Sequence, residues 1–387
     1  MLDRHLPEEL VELAASAREV ATKRIAPLVR ETELSHAFSP RIREILAEAG
    51  FLGLIVPERF GGIDLDARAE AIVVEEIARV YPSAATYLTA HWTASKMLVR
   101  AADTGQDDPW LIAELERIAS GEHLGAIAAT EPEAGSDLAH LVTRAERDGD
   151  EWVLNGGKRF ITNGGVADFY SVMVRTGGEG SRGISVFFVD ADRPGIVAGR
   201  LENKMGLHGS ATAEITIDDV RVPTDHLLGT EGQGFRMLMA GLDGGRVTVA
   251  AMSVGIAAAA LDHSLEYSRG RQQFGQSISE FQGVQFLLAD MEIAVTAARA
   301  LTRDAAEALA VGDAAASQLA SIAKSYASDA AMQVTTDAVQ VHGGYGYIDE
   351  YPVEMLMRDA KIGQIYEGTN QLQRALIARR SLEGTGG

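Results

Sequence analysis

From Val247 to Leu261 the chain runs through 15 residues with little but Thr248 and Ser253 to break its apolar character. A segment apolar on every face must be surrounded, either by lipid or by protein. This one falls short of the roughly 18 to 20 residues that cross a bilayer, so the expectation is a helix buried on most sides inside a bundle. The remaining sequence can supply that bundle. Of 387 residues, 46% are hydrophobic and 23% charged, a globular balance too long for one comfortable core, and two or three domains are expected.

Helical periodicity governs both ends of the chain. Leu10 to Val29, Ile42 to Gly50, Glu70 to Val80, Ala84 to Ala102 and Pro109 to Ser120 carry apolar residues at three- and four-residue steps. Phe281, Val284, Leu288, Met291, Val295 and Ala298 form one stripe of a long bundle helix, and similar helices fit Phe235 to Ser268, Ala314 to His342, Tyr351 to Arg358 and Asn370 to Ser381. Between them the texture changes to short β-rich runs, Tyr170 to Arg175, Ile184 to Val189 and Glu214 to Asp218, broken by glycines. The expected architecture is α+β in three parts: an N-terminal all-α domain over 1–122, a middle β-sheet or barrel domain over 123–231, and a C-terminal four-helix bundle over 232–387.

Charge and residue usage exclude several functions. With 35 Lys and Arg against 55 Asp and Glu, a net charge of -20 repels nucleic acid and anionic membrane, and neither partner is expected. The absence of cysteine rules out disulfides, thiolate metal sites and a cysteine nucleophile, and no H-E-x-x-H pattern offers a metal site in their place. Met1 to Leu13 is acidic and interrupted by Pro7, unlike a secretory signal, so a cytoplasmic location is expected.

Five segments concentrate hydrogen-bonding groups beside glycine or aromatic residues. Thr130 to Asp137 (TEPEAGSD) reads as an ordinary turn or as a phosphate- or ring-binding loop. Phe160 to Gly165 and Gln340 to Gly346 each set aromatic and polar groups against small residues, where a planar ligand could lie. For His342 a capped helix end with a solvated imidazole is favoured over metal ligation. Arg269 to Gly275 ends a helix with two guanidinium groups, which suits the helix dipole alone or a pyrophosphate clamp. In Ile365 to Gln371, Glu367 stands between an aromatic residue and a glycine. That setting fits a general base whose apolar neighbours raise its pKa, and a loop glutamate fits the same spacing. No P-loop, Rossmann fingerprint or G-x-S-x-G elbow is present.

Taken in order, TEPEAGSD, KRFITN, RQQFG, QVHGGYGY and RDAKIGQIYEGTNQ resemble the signatures of the acyl-CoA dehydrogenase family, collinear from about residue 40 to 380. Leu242 to Arg246 is similar to its short-chain and branched-chain members. The resemblance implies FAD between the middle and last domains, with Thr130 and Ser136 serving the flavin ring and the pantetheine or phosphate side. It implies Phe160, where many relatives carry tryptophan, covering the isoalloxazine, and Thr162 bonding near the hydride-accepting nitrogen. Arg271, Phe274, Gln282, Gln340, Gly343 and Gly344 would meet the FAD of a neighbouring subunit, and Thr369 and Gln371 would add to the cofactor contacts. That sharing implies a homotetramer, a dimer of dimers.

Glu367 aligns with the family's base, which removes the α-proton of an acyl-CoA while the β-hydrogen leaves as hydride, giving the trans-2-enoyl thioester. The helix of Thr86 to Lys96 lines the family's acyl pocket. Tyr87, His91 and Trp92 there would shorten it, favouring a short, branched or cyclic chain, with Ser136, Asp243, Arg246, Tyr366 and Gly368 as further substrate contacts. An electron-transferring flavoprotein is the implied acceptor, and fatty acid or branched-chain amino acid catabolism the implied setting. An oxygen-using oxidase, a flavin monooxygenase and a dehydrogenase of carrier-protein thioesters are alternatives on the same scaffold. A catalytically silent flavin-fold binding protein would show a disabled base, and Glu367 is retained.

Overall fold

Pro27 decides the path of the first helix. In the computed structural model, which describes residues 6–383, α1 (Glu8–Glu19) widens into a π-helical segment at Val20–Ile25 before α2 (Ala26–Ser35). A proline at the start of α2 has no N–H for the carbonyl four residues back, and the ladder widens there instead of breaking. The single helix expected over Leu10 to Val29 is therefore two joined ones. His36, in the left-handed conformation at φ 52°, ends the second.

Helices α3 (Pro40–Glu48), α4 (Ala67–Ala78), α5 (Pro82–Asp103) and α6 (Pro109–Ser120) follow. Their starts are legible in sequence: Ser39 accepts from the N–H of Ile42 at 3.3 Å, Asp66 accepts from that of Arg68 at 2.9 Å, and Pro40, Pro82 and Pro109 occupy first turns.

The middle of the chain forms one seven-stranded sheet. Its strands are β1 (Gly125–Ala128), β2 (Arg144–Asp148), β3 (Glu151–Thr162), β4 (Phe169–Arg175), β5 (Ile184–Asp190), β6 (Ile196–Ala198) and β7 (Thr212–Pro223). They run in the order β1-β4-β2-β3-β7-β6, with β5 also paired to β4. Most pairs are antiparallel; β1 runs parallel to β4, and β2 meets β4 at one parallel pair. The longest ladder, β3 on β7, runs from Glu151 opposite Pro223 to Thr162 opposite Thr212, and its register shifts between Lys158 and Ile161. That irregularity carries Phe160, at φ 58°, out of the sheet.

The last part comprises α7 (Gly234–Gly270), α8 (Gln282–Ala310), α9 (Ala316–His342), α10 (Val353–Ala360) and α11 (Asn370–Glu383). Every residue from Val247 to Leu261 is buried. By length and composition α7 could cross a membrane, but 89% of its most apolar window lies inside the protein. Its partners include the N-terminal helices: one hydrophobic core joins α1, α4 and α5 to α7, α8, α9 and α10. Gly255 lets α7 and α4 approach closely, since a Cβ there would stand 2.4 Å from the carbonyl oxygen of Glu75 on α4. A second core joins α5 and α6 to Phe169, Met173 and Phe188 of the sheet and to Met237 and Leu238 of α7. Helix α5 is thus wedged between sheet and bundle, and any cavity at that junction has α5 as a wall.

The face of α5 that meets the junction is not the expected one. Tyr87, His91 and Trp92 are fully buried on its other side, and the substrate contacts expected of them are corrected here. The Tyr87 hydroxyl donates to the carbonyl of Gly209 at 2.7 Å and the Trp92 indole N–H to that of Phe51 at 2.9 Å. His91 Nε2 lies 3.1 Å from the Leu52 carbonyl, while its Nδ1 accepts from the Gly125 N–H at 2.8 Å. His91 therefore ties α5 to the segment after α3 and to β1. Burial pushes its pKa down to about 3 from 6.5, so it stays neutral. The unfolded chain takes up a proton near pH 6.5 and the folded one does not, so this contribution is present above that pH and is lost on acidification. His91→Leu is expected to cost about 2–5 kcal/mol near neutrality by orphaning two buried backbone groups. It should also flatten the fall in stability between about pH 6.5 and pH 4. Denaturant unfolding across that range measures both, and a variant as stable as the parent would contradict the assignment.

Candidate active site

The junction encloses a cavity of about 470 Å³. Thr130 and Ser136 enter it from the loop after β1, Phe160 and Thr162 from the end of β3, and Tyr366, Glu367, Gly368 and Thr369 from the segment between α10 and α11. Eight of the residues singled out in the sequence, from three separate segments, line one space.

The helix of Thr86 to Lys96 forms part of the remaining wall, as the resemblance implies, but with residues other than those expected, and α7 completes it. From α5 it is Thr86, Thr89, Ala90 and Thr93, and from α7 it is Leu242, Gly245, Thr248 and Val249. The hydroxyls of Thr86, Thr93 and Thr248 donate to carbonyls of their own helices, those of Ser83, Thr89 and Gly245, at 2.7, 2.8 and 2.9 Å. Threonine contributes mainly its methyl to such a wall, which is accordingly apolar. A one-residue rotation of the helical pattern separates Thr86, Ala90 and Thr93 from Tyr87, His91 and Trp92, and periodicity without a partner structure could not choose between the faces.

Glu367 is the chemical centre of the cavity. Its backbone is left-handed at φ 53°, and Gly368 follows at φ 87°. Two clamps hold this turn. Gln373, in the first turn of α11, donates to the carbonyls of Glu367 and Gly368 at 3.0 and 3.1 Å, and Lys324 of α9 donates to the Gly368 carbonyl at 2.8 Å. The carboxylate lies against α7, where Gly245 makes room for it: a Cβ there would stand 2.6 Å from Glu367 Oε2. That oxygen is buried with no hydrogen-bond partner among the described residues. Burial pushes the Glu367 carboxyl above its ordinary range, against the pull of Arg246, Lys324 and Lys96. A buried, unpartnered carboxylate facing a largely apolar cavity is equipped to accept a proton from a ligand.

The other expected substrate residues stand back from this space. Arg246 Nη1 donates to Asp243 Oδ1 at 2.5 Å, and Ser317 holds the same oxygen at 3.1 Å. Neither Asp243 nor Arg246 lines the cavity, and the expected direct contact is corrected to an electrostatic influence of Arg246 on Glu367.

A second cavity, of about 460 Å³, gathers Arg271, Gly343 and Gly344 with Tyr267, His342 and Tyr345. His342 is not solvated, as the sequence suggested: it is buried, stacked on Tyr267 with ring centroids 4.3 Å apart, and its Nδ1 lies 2.8 Å from the Ala338 carbonyl. Phe274 is 95% exposed at the tip of a two-residue hairpin, and Gln282, Gln340 and Gln371 are exposed. None of these four lines either cavity.

The donor set of the first cavity fits a planar, hydrogen-bonding ring. Phe160 stands 61% exposed at its edge, held out by the left-handed backbone, and three hydroxyl residues, Thr130, Ser136 and Thr162, share the same lining. Among the described residues no group of side chains could hold a metal ion.

Comparison with known proteins gives one consistent answer. Three family models match in succession: acyl-CoA dehydrogenase N-terminal domain over 7–122, middle domain over 126–220 and C-terminal domain over 232–382. A cyclohex-1-ene-1-carbonyl-CoA dehydrogenase of Geobacter metallireducens is 44% identical over 98% of this chain and 99% of its own. The structure of butyryl-CoA dehydrogenase from Megasphaera elsdenii superposes with a TM-score of 0.93 at 40% identity, covering 98% of this chain and 100% of that one. A chain from a structure described as the electron transferring flavoprotein of Acidaminococcus fermentans gives 0.94 at 43% identity, with 98% and 100% covered.

Proposed function

The chain belongs to the acyl-CoA dehydrogenase family, oxidoreductases acting on a CH–CH group, and from that premise we propose that it converts a short, branched or cyclic acyl-CoA to its trans-2-enoyl thioester with Glu367 as the base. The observation that carries this reading is the Glu367 carboxylate, buried and unpartnered in the cavity that Phe160 and Thr162 also line. Thr130, Ser136, Phe160, Thr162 and Thr369 would hold FAD, which supplies the two-electron acceptor that loss of the β-hydrogen requires.

The protein's own part is to bind, dry and deprotonate. The methyl-lined wall of α5 and α7 receives the acyl chain and excludes water, which strengthens every charge interaction inside. Glu367 takes the α-proton onto its unpartnered Oε2, and its raised pKa brings it nearer that of the carbon acid it must serve. With Tyr87, His91 and Trp92 turned away, the limit on chain length rests on likeness to relatives named for butyryl-CoA and cyclohex-1-ene-1-carbonyl-CoA.

Transfer of the electrons to an electron-transferring flavoprotein is supported by the Acidaminococcus fermentans likeness. The homotetramer is supported by the exposure of Phe274 and of Phe286 and Ile293 on α8, at 95%, 60% and 64%. Purified with FAD and titrated without oxygen, the protein should bleach with butyryl-CoA and cyclohexanecarbonyl-CoA, and far less with palmitoyl-CoA. Bleaching only by carrier-bound chains would replace the CoA thioester, and rapid reoxidation of the product complex by air would replace the dehydrogenase with an oxidase.

A further inference from the structure

Lys324 sits in the middle of α9 on a stripe otherwise made of small residues, with Ala320, Ala327, Ser328 and Ala331 buried around it. A lysine buried this completely must be hydrogen-bonded to be tolerated. Both of its hydrogen-bond partners belong to the segment that carries the base: the Gly368 carbonyl at 2.8 Å and Asn370 Oδ1 at 2.9 Å. Asn370 is in turn fixed to α9, donating to Ser328 Oγ at 2.9 Å and to Asp329 Oδ1 at 2.8 Å.

The geometry points to Lys324 as the positioning residue of the base: from α9 it holds the left-handed turn at Glu367 and Gly368 in place, and it sets a buried positive charge behind the carboxylate. The inference rests on the reading of Glu367 as the base. A non-glycine residue at positive φ persists only where its surroundings over-determine it, and Lys324 and Gln373 are the clamps that do so. They differ in one respect: Gln373 positions without charge, while Lys324 does both.

The charged groups facing Glu367 are Lys324 from α9, Arg246 from α7 and Lys96 from α5. Arg246 is paired with Asp243, and Lys96 with Glu70 at 2.7 Å, so two of the three cations have a carboxylate of their own. Among the described residues Lys324 makes no ion pair; it faces Glu367, Arg246 and Asp329 at longer range, and burial pushes its pKa down to about 8. Of the three cations Arg246 pulls hardest on the Glu367 carboxyl and Lys324 next, while Glu367 is the charge that acts most on Lys324.

The test compares Lys324→Met, Lys324→Arg and Gln373→Met in the FAD-loaded protein, following substrate-dependent flavin bleaching against pH. In Lys324→Met the rising limb, which reports ionisation of the base, is expected to move about one unit toward alkali through loss of the opposite charge. The bleaching rate should fall about 10- to 100-fold through misplacement, while KM changes little. Gln373→Met should slow the reaction and leave the limb where it is. Lys324→Arg, which keeps the charge, should also leave the limb unmoved, and it carries the test if the methionine variant does not fold. An unmoved limb in Lys324→Met, or a shifted one in Lys324→Arg, overturns the role of Lys324. Failure of the parent protein to bleach with any acyl-CoA overturns the functional reading instead.

Discussion

Glu367→Gln is expected to lower the rate of substrate-dependent flavin bleaching by about 10²- to 10⁴-fold, the contribution of a positioned general base, while leaving FAD bound and the protein no less stable. The amide occupies the same volume against Gly245, where a Cβ would stand only 2.6 Å from the carboxylate oxygen, so the turn need not move. Loss of activity would then be loss of the proton acceptor alone. The stability arm follows from the direction of the pKa shift. A carboxyl raised in the folded state costs folding free energy at every pH above its unfolded value, an expense that grows until the folded pKa is passed. Its net shift is upward even with Arg246, Lys324 and Lys96 nearby, so burial outweighs their attraction and a neutral amide should be better tolerated at neutral pH. Stopped-flow bleaching and thermal unfolding on the same preparation measure the two arms. Bleaching at the parent rate would remove Glu367 from the mechanism.

Conflict between stability and chemistry also marks what could be read in the sequence. The helices of the two ends and their order were legible because buried faces repeat at three- and four-residue steps. Pro109 and Ser120 bound α6 as its first-turn proline and the closing Gly121, at φ 79°, require. Strand β3 was harder: Glu151 to Thr162 mixes charged residues with Gly156 and Gly157, and its pairing with β7 is a distant tertiary fact. The segments carrying Thr130, Phe160 and Glu367 stood out because glycine beside polar or aromatic residues is an uneconomical way to build a core. Lys324 and Gly245 did not stand out. One is a lysine in a small-residue stripe and the other one of 40 glycines, and each acquires meaning only from the turn it faces. The stripe itself held a signal, since a charged residue at a buried helical position demands a partner.

Breaking the Glu131–Lys158 pair is expected to destabilise the middle of the protein by about 3–5 kcal/mol, the cost of leaving one charge buried alone. The pair lies under the loop of Thr130 to Asp137, with Nζ to Oε1 at 2.7 Å and side chains 0% and 1% exposed. Glu131 also accepts from the backbone N–H groups of Val142 and Thr143, at 2.6 and 3.0 Å, and Lys158 donates to the Ala129 carbonyl at 3.3 Å. Burial opposes the charge on Glu131, yet Lys158 and these donors hold its carboxyl below the ordinary range, so it is ionised. One carboxylate thus joins the end of β1, the approach to β2 and the middle of β3, and Thr130 and Ser136 are presented to the cavity from the loop it anchors. Lys158→Met removes the cation and strands the carboxylate; Glu131→Gln removes the anion and strands the ammonium. Each single variant should bind FAD more weakly as well as unfold more easily, because the loop that presents Thr130 and Ser136 loses its anchor. The double variant leaves no buried charge, and its loss should be smaller than the sum of the singles by more than about 1 kcal/mol, the signature of direct coupling. Denaturant unfolding of the four proteins and FAD titration of each supply the comparison. Single variants within about 0.5 kcal/mol of the parent, the range of ordinary surface changes, would show that the loop is held by its backbone bonds and not by this pair.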